Sequence, residues 1–317
     1  MKQFTSVHDV TDINALVTEA MQHKESPYAF QHLGKSKTIG LVFLNPSLRT
    51  RMSTQKAALN LGMNAMVLNI DKEGWALELQ DGAVMNGTTV EHVREAAAVL
   101  GQYVDFLGVR SFPGLKNRDE DYSESIFNKF VEYCGVPVIS LESATRHPLQ
   151  SLADLVTITE LKTVDRPKVV LIWAPHIKAL PQAVPNSFAE WMCRAHVDFV
   201  IAHPQGYELS SDFTNGATIT HNQEEALAGA DFVYVKNWSA YEPYGEMPGL
   251  GNYDSWMLTN DKLKTTRNAK VMHCLPVRRN LELSDEILDG PHSVVIHEAG
   301  NRVWAAQAVL KQLLENR

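Results

Sequence analysis

The chain has 317 residues, 44% of them hydrophobic, with a formal net charge of -8. That length suits about two domains, and the apolar content gives each a core. The acidic balance argues against a nucleic-acid partner, which calls for a basic face, yet leaves a local arginine cluster free to take an anionic metabolite.

Short β-branched runs alternate with longer helical patterns, the signature of an α/β protein with parallel sheets. In the first half, strands are predicted at Thr38–Leu44, Met66–Ile70, Val104–Val109 and Val136–Ser140, with helices over Thr50–Leu61, Val90–Leu100 and Ser123–Cys134. Leu149–Leu161 reads as a long helix joining the halves, opened by Pro148 in its first turn. The second half repeats the scheme. Its strands are predicted near Lys168–Trp173, Asp198–Ala202, Ala217–Thr220, Phe232–Lys236 and Lys270–His273, and its helices over Val184–Arg194, Gln223–Ala228 and Ser284–Leu288. Tyr241–Tyr253, rich in Gly and Pro, reads as a surface loop, and Asn301–Leu314 as an amphipathic helix returning to the first domain.

Cys134, Cys193 and Cys274 form no C-x-x-C pair, and the N-terminus shows no apolar stretch behind its charge. The longest apolar runs are strand-sized. A cytoplasmic protein is expected.

Open α/β sheets bind ligands beyond the carboxyl ends of their strands, and residues with chemical potential fall there. In Ser47-Leu48-Arg49-Thr50-Arg51 a helix begins with hydroxyls and arginines in its first turn. A helix start favours an anion, and arginine grips phosphate bidentately. The alternative is an ordinary Ser cap with solvated arginines. Positive charge at a helix start opposes the dipole, which tips the reading toward an anion. His147-Pro148-Leu149-Gln150 places a ring N–H and a side-chain amide at another helix start, where a plain capping turn competes. In His273-Cys274-Leu275-Pro276 the Leu-Pro bond is a candidate cis peptide that aims backbone carbonyls at a ligand. A covalent role for Cys274 finds no arranged base. The sequence lacks G-x-x-x-x-G-K-[ST], G-x-G-x-x-G after a strand and H-E-x-x-H. His292 and His297 read as surface or strand positions, and neither metal, nucleotide nor other cofactor is expected.

Taken in order, S-x-R-T-R, H-P-x-Q and H-C-L-P, with the closing Glu298-Ala299-Gly300-Asn301-Arg302, resemble the aspartate/ornithine carbamoyltransferase family over the whole chain. The resemblance implies two α/β domains, each a mainly parallel sheet flanked by helices, joined by long interdomain helices. It places a carbamoyl phosphate-binding domain at 1–147 plus 299–317 and an acylornithine-binding domain at 148–298. It also implies a homotrimer with shared active sites, no cofactor, and a place in arginine biosynthesis. Carried over by residue, Ser47, Leu48, Arg49 and Thr50 hold the phosphate, with Arg110 and Arg302 adding charge. Arg110, His147 and Thr50 polarise the carbonyl as the catalytic set. Gln150 and the backbone at Cys274 and Leu275 fix the NH2, and Trp75 matches a loop that reaches the neighbouring subunit's site.

The D-x-x-x-S-M-G run of ornithine enzymes is replaced by Lys236-Asn237-Trp238-Ser239-Ala240-Tyr241. The run from Ala174-Pro175-His176 to Phe188 is similar to the N-acylornithine branch, which implies Glu142, His176, Lys236 and Arg278 around an acylated substrate. Each also has a bland reading as a solvated, turn or helix-entry residue. Val90 stands where that branch contacts the acyl group. Valine does not repel a succinyl carboxylate, so N-succinyl-L-ornithine is the expected acceptor, with N-acetyl-L-ornithine and ornithine as alternatives. A non-catalytic anion-binding relative and a dinucleotide-dependent oxidoreductase are the rivals from other classes.

Overall fold

The computed structural model describes residues 1–316 except Pro248 and Leu250, with the Asp71 side chain also outside the description. Both left-out residues fall in the loop expected at 241–253. The chain forms two compact units. The first comprises Met1–Pro113, Asp119–Leu149 and the C-terminal segment from Arg302; the second comprises Gly114–Arg118 and Gln150–Asn301. Besides the short excursion at Gly114–Arg118, the chain passes from one to the other inside two helices, Pro148–Leu161 and Val295–Glu315. The closing helix therefore starts well ahead of the predicted Asn301.

In the first unit four strands pair in parallel, in the spatial order Asn64–Asn69, Thr38–Phe43, Phe106–Arg110, Val138–Glu142. Phe106–Arg110 and Val138–Glu142 are buried throughout, as expected of parallel strands covered on both faces. Val42, Leu107 and Val109 pack against Val93, Phe127 and Phe130 of the helices Val93–Tyr103 and Ser125–Tyr133. Gly101 permits that helix pair: a Cβ there would lie 1.7 Å from the Cys134 carbonyl oxygen.

The second unit holds a five-stranded parallel sheet in the order Lys270–Met272, Phe232–Lys236, Lys168–Trp173, Asp198–Ala202, Thr218–Thr220. Val170, Ile172, Val233, Val235 and Val271 supply its core, closed by Leu283 and Ile287. Two parallel α/β sheets thus match the expected fold class.

Three local expectations are corrected. Arg110 and Glu142 end their strands rather than follow them, because both strands begin and end later than predicted. Val90 is not helical; it precedes the two-residue strand Glu91–His92, which pairs with Leu77–Glu78 ahead of the helix. A helix over Ile13–Glu25, capped by Asp12, was not predicted. Among the described residues no helix is long and apolar enough to cross a membrane.

Candidate active site

The strand order of each sheet has a switch point, where consecutive connections leave in opposite directions and a crevice opens at the carboxyl ends. In the first unit it lies between Thr38–Phe43 and Phe106–Arg110. The first of these strands leads into Ser47 and the helix Arg49–Asn60; the second ends on Arg110. Leu48 occupies the N-cap of that helix and offers it no side-chain bond, while Ser47 Oγ accepts from Thr50 N at 3.3 Å. One helix-start donor is thereby satisfied locally.

The next pair of strands shifts register between Val109 and Arg110, so that Arg110 sits opposite Glu142. Such irregularities re-aim side chains. Here the result is a buried ion pair between Arg110 Nη1 and Glu142 Oε2. Glu142 Oε2 also lies 3.5 Å from His147 Nε2. His147 Nε2 is 3.5 Å from Arg302 Nη2, which donates to Thr50 Oγ1 at 2.6 Å. Thr50, Arg302, His147, Glu142 and Arg110 thus form one continuous buried cluster.

Burial, then the charges of Arg302 and Arg110, push His147 well below the ordinary imidazole value, so the ring is neutral. Its Nε2 lies 3.5 Å from both the Arg302 guanidinium and the Glu142 carboxylate. His147 Nδ1 and Arg110 Nε are buried without a hydrogen-bond partner among the described residues. Buried polar groups are nearly always paired, so two unpartnered polar atoms at a switch point are the mark of a ligand site.

The loop carrying His147 is held by a residue the sequence did not advertise. Glu124 accepts from Ser143 Oγ at 2.6 Å, Thr145 N at 2.8 Å and Ala144 N at 3.1 Å, and also from Thr145 Oγ1. In the sequence it lies among Ser and Asp and resembles a solvated carboxylate.

Trp75 and Val90 are joined to each other through a neighbouring pairing: Trp75 Nε1 donates to Glu91 Oε2 at 2.7 Å, and Val90 N to Ala76 O at 2.9 Å. Both are exposed, at 56% and 62%. Among the described residues no hydrogen bond or ion pair links either to the Arg110–His147 cluster.

In the second unit the switch point falls between Lys168–Trp173 and Phe232–Lys236. His176 follows the first and Lys236 ends the second. Arg278 Nε donates to His176 Nε2 at 3.1 Å, and His176 Nδ1 lies 2.9 Å from Lys178 O. Glu282, absent from the sequence prediction, organises this set. Its Oε2 accepts from Arg278 N at 2.7 Å and its Oε1 lies 3.3 Å from His273 Nε2. Burial alone would raise the Glu282 carboxyl, but His273, the charge of Lys236 and the Arg278 N–H together hold it at about 2.

Gln150 Nε2 donates to Asp154 Oδ1 at 2.7 Å and to Glu298 Oε1 at 3.3 Å, while Glu298 Oε2 accepts from His273 N at 2.8 Å. Leu275 has φ 54°, and its bond to Pro276 is cis. Leu275 N donates to His273 Nδ1 at 2.8 Å, with Cys274 buried beside it. The candidate residues therefore fall into two sets. Ser47, Leu48, Arg49, Thr50, Arg110, Glu142, His147 and Arg302 lie on the first unit with Trp75 and Val90; Gln150, His176, Lys236, Cys274, Leu275 and Arg278 lie on the second.

Unpartnered polar atoms beside buried arginines, at the switch point of an open parallel sheet, suit a small anionic ligand. Residues 2–160 match the carbamoyl-P binding domain of aspartate/ornithine carbamoyltransferase, and residues 180–313 match the Asp/Orn binding domain. The chain belongs to the aspartate/ornithine carbamoyltransferase family and is a carbamoyltransferase. It is 51% identical over 317 residues to the N-succinylornithine carbamoyltransferase of Bacteroides thetaiotaomicron, covering 99% of both chains. It is 37% identical to the N-acetylornithine carbamoyltransferase of Xylella fastidiosa, covering 99% of this chain and 98% of that one. Among solved structures, acetylornithine transcarbamylase complexed with acetylcitrulline superposes with a TM-score of 0.92 at 35% identity, covering 99% of both chains.

Proposed function

We propose that the protein transfers the carbamoyl group of carbamoyl phosphate to the δ-amine of N-succinyl-L-ornithine, giving N-succinyl-L-citrulline and phosphate. The observation that carries the transfer chemistry is the pair of buried, unpartnered nitrogens on Arg110 and His147. The succinyl acceptor is supported by the full-length similarity to N-succinylornithine carbamoyltransferases and by Val90, an uncharged side chain at the acyl position.

In this reading Ser47, Leu48, Arg49, Thr50 and Arg302 hold the phosphate on the first unit. Arg110, His147 and Thr50 meet the charge that grows on the carbonyl oxygen as the amine attacks. The amine nitrogen forms its bond to the carbamoyl carbon, the bond from that carbon to the bridging oxygen of the acyl phosphate breaks, and the departing phosphate takes the amine proton. A free alkyl amine has a pKa of about 10.4, so the site must bind its neutral form. Gln150, held by its Nε2 bonds to Asp154 and Glu298, fixes the carbamoyl NH2. The backbone at Cys274 and Leu275 shares that task. His176, Lys236, Arg278 and Glu142 are the residues assigned to the acylated amino acid.

The same reading makes the protein a cytoplasmic homotrimer of arginine biosynthesis, with Trp75 completing a neighbouring subunit's site and no cofactor taking part. Incubating the purified protein with carbamoyl phosphate and N-succinyl-L-ornithine tests it. Mass spectrometry should find N-succinyl-L-citrulline with one phosphate released per product; no carbamoylated product would reject the proposal.

A further inference from the structure

We propose that the second unit carries a zinc-type divalent metal site formed by His203, Glu208 and His221. The sheet creates it. Asp198–Ala202 and Thr218–Thr220 pair in parallel up to Ala202 opposite Thr220, so the next residue of each strand is a histidine. His203 N donates to Thr220 O at 3.3 Å, and the two rings meet edge to face at 5.0 Å. Glu208 comes from the loop between those strands.

The backbone fixes both rings in the tautomer a metal needs. His203 Nδ1 lies 2.9 Å from Pro204 O, and His221 Nδ1 lies 3.0 Å from His203 O. A carbonyl oxygen only accepts, so each Nδ1 carries a proton and each Nε2 is the nitrogen left to face a metal. An imidazole that donates its other N–H to a carbonyl is the usual support for a metal-bound histidine. The His203 ring is fully buried, yet its Nε2 has no hydrogen-bond partner among the described residues. Glu208 Oε1 stands 3.9 Å from His221 Nε2. A potential ligand atom from each of the three residues lies within 4.8 Å of the other two. A shared cation would satisfy the otherwise unpartnered His203 Nε2.

Two imidazoles and a carboxylate suit zinc, with a fourth position left for water. Zinc–ligand bonds of about 2.0–2.2 Å place tetrahedral ligand atoms roughly 3.3 Å apart. Glu208 and His221, each half-exposed, are free to close the remaining distance onto the fixed His203. The bound ion would act as a brace. Tyr207, beside Glu208, packs its ring tilted against Trp173 with centroids 4.9 Å apart, and its carbonyl accepts from Trp238 Nε1 at 2.8 Å. Trp238 follows Lys236 by two residues, so the metal would steady the strand end that carries Lys236.

Calorimetric titration of the EDTA-stripped full-length protein with zinc chloride, backed by the visible spectrum of the cobalt form, tests the site. One ion per chain should bind and raise the melting temperature. Glu208→Gln and His221→Ala, both at the surface, should each weaken binding by about tenfold or more, while circular dichroism and zinc-free carbamoyl transfer stay as in the wild type. No binding at one ion per chain would show that His221 and Glu208 form only an ion pair. Binding unchanged in both variants would place the ion elsewhere. Either result overturns the proposal.

Discussion

Arg302 Nη2 donates to Thr50 Oγ1 at 2.6 Å across 252 positions of sequence, tying the closing helix to the helix start that follows the first strand. The bond makes a hydroxyl and a guanidinium act as one unit. Thr50→Val and Arg302→Ala should each lower kcat/KM for carbamoyl phosphate by about 10²-fold, the usual cost of one lost oxyanion donor. Because the two groups share an interaction, the double variant should fall short of the product of the singles. A fully additive double-mutant cycle would show that the two side chains work independently.

Arg49 opens the helix after Ser47 and Leu48. If it grips phosphate through charge-assisted bonds worth about 1.5–3 kcal/mol each, Arg49→Ala should raise the KM for carbamoyl phosphate and nearly abolish turnover. Steady-state kinetics with varied carbamoyl phosphate would reveal this; near-normal values would remove Arg49 from the phosphate site.

Val90 is 62% exposed and uncharged, one residue before Glu91. Two like charges about 4 Å apart repel by about 4 kcal/mol at the effective dielectric of a protein surface, less once salt screens them. Val90→Glu should therefore lower the succinylornithine-to-acetylornithine ratio of kcat/KM by about tenfold or more. An unchanged ratio would show that this position does not read the acyl group.

His147 predicts a pH dependence of stability. Its pKa is lowered well below 6.5, first by burial and then by Arg302 and Arg110. Below pH 6.5 the unfolded chain takes a proton that the folded protein refuses. Its contribution to stability is therefore complete above pH 6.5 and is lost as pH falls through the folded value. Urea denaturation at pH 7 and pH 5 should show a smaller loss for His147→Asn than for the wild type. Equal losses would mean that His147 is not held neutral.

Much of this was legible in the residues. Lys168–Trp173, Asp198–Ala202 and Phe232–Lys236 were predicted with their observed ends, because β-branched runs bounded by polar residues leave little choice of register. Arg49 and His147 stood out because they follow strands, and Arg110 because it stands at the end of one. The helix Ile13–Glu25 did not, since its buried residues, including Leu16, Val17 and Ala20, sit among polar neighbours. Glu124 and Glu282 escaped for a different reason. A carboxylate that gathers backbone N–H groups looks like any surface acid until the chain has turned around it. His203 and His221 were likewise invisible as a pair, since only strand pairing makes residues 18 positions apart neighbours.

The central claim is best tested by measuring kcat/KM for N-succinyl-L-ornithine, N-acetyl-L-ornithine and L-ornithine side by side at saturating carbamoyl phosphate. The highest value is expected for the succinyl compound, a lower one for the acetyl compound and almost none for ornithine. A preference for free ornithine, or for the acetyl compound over the succinyl one, would contradict it.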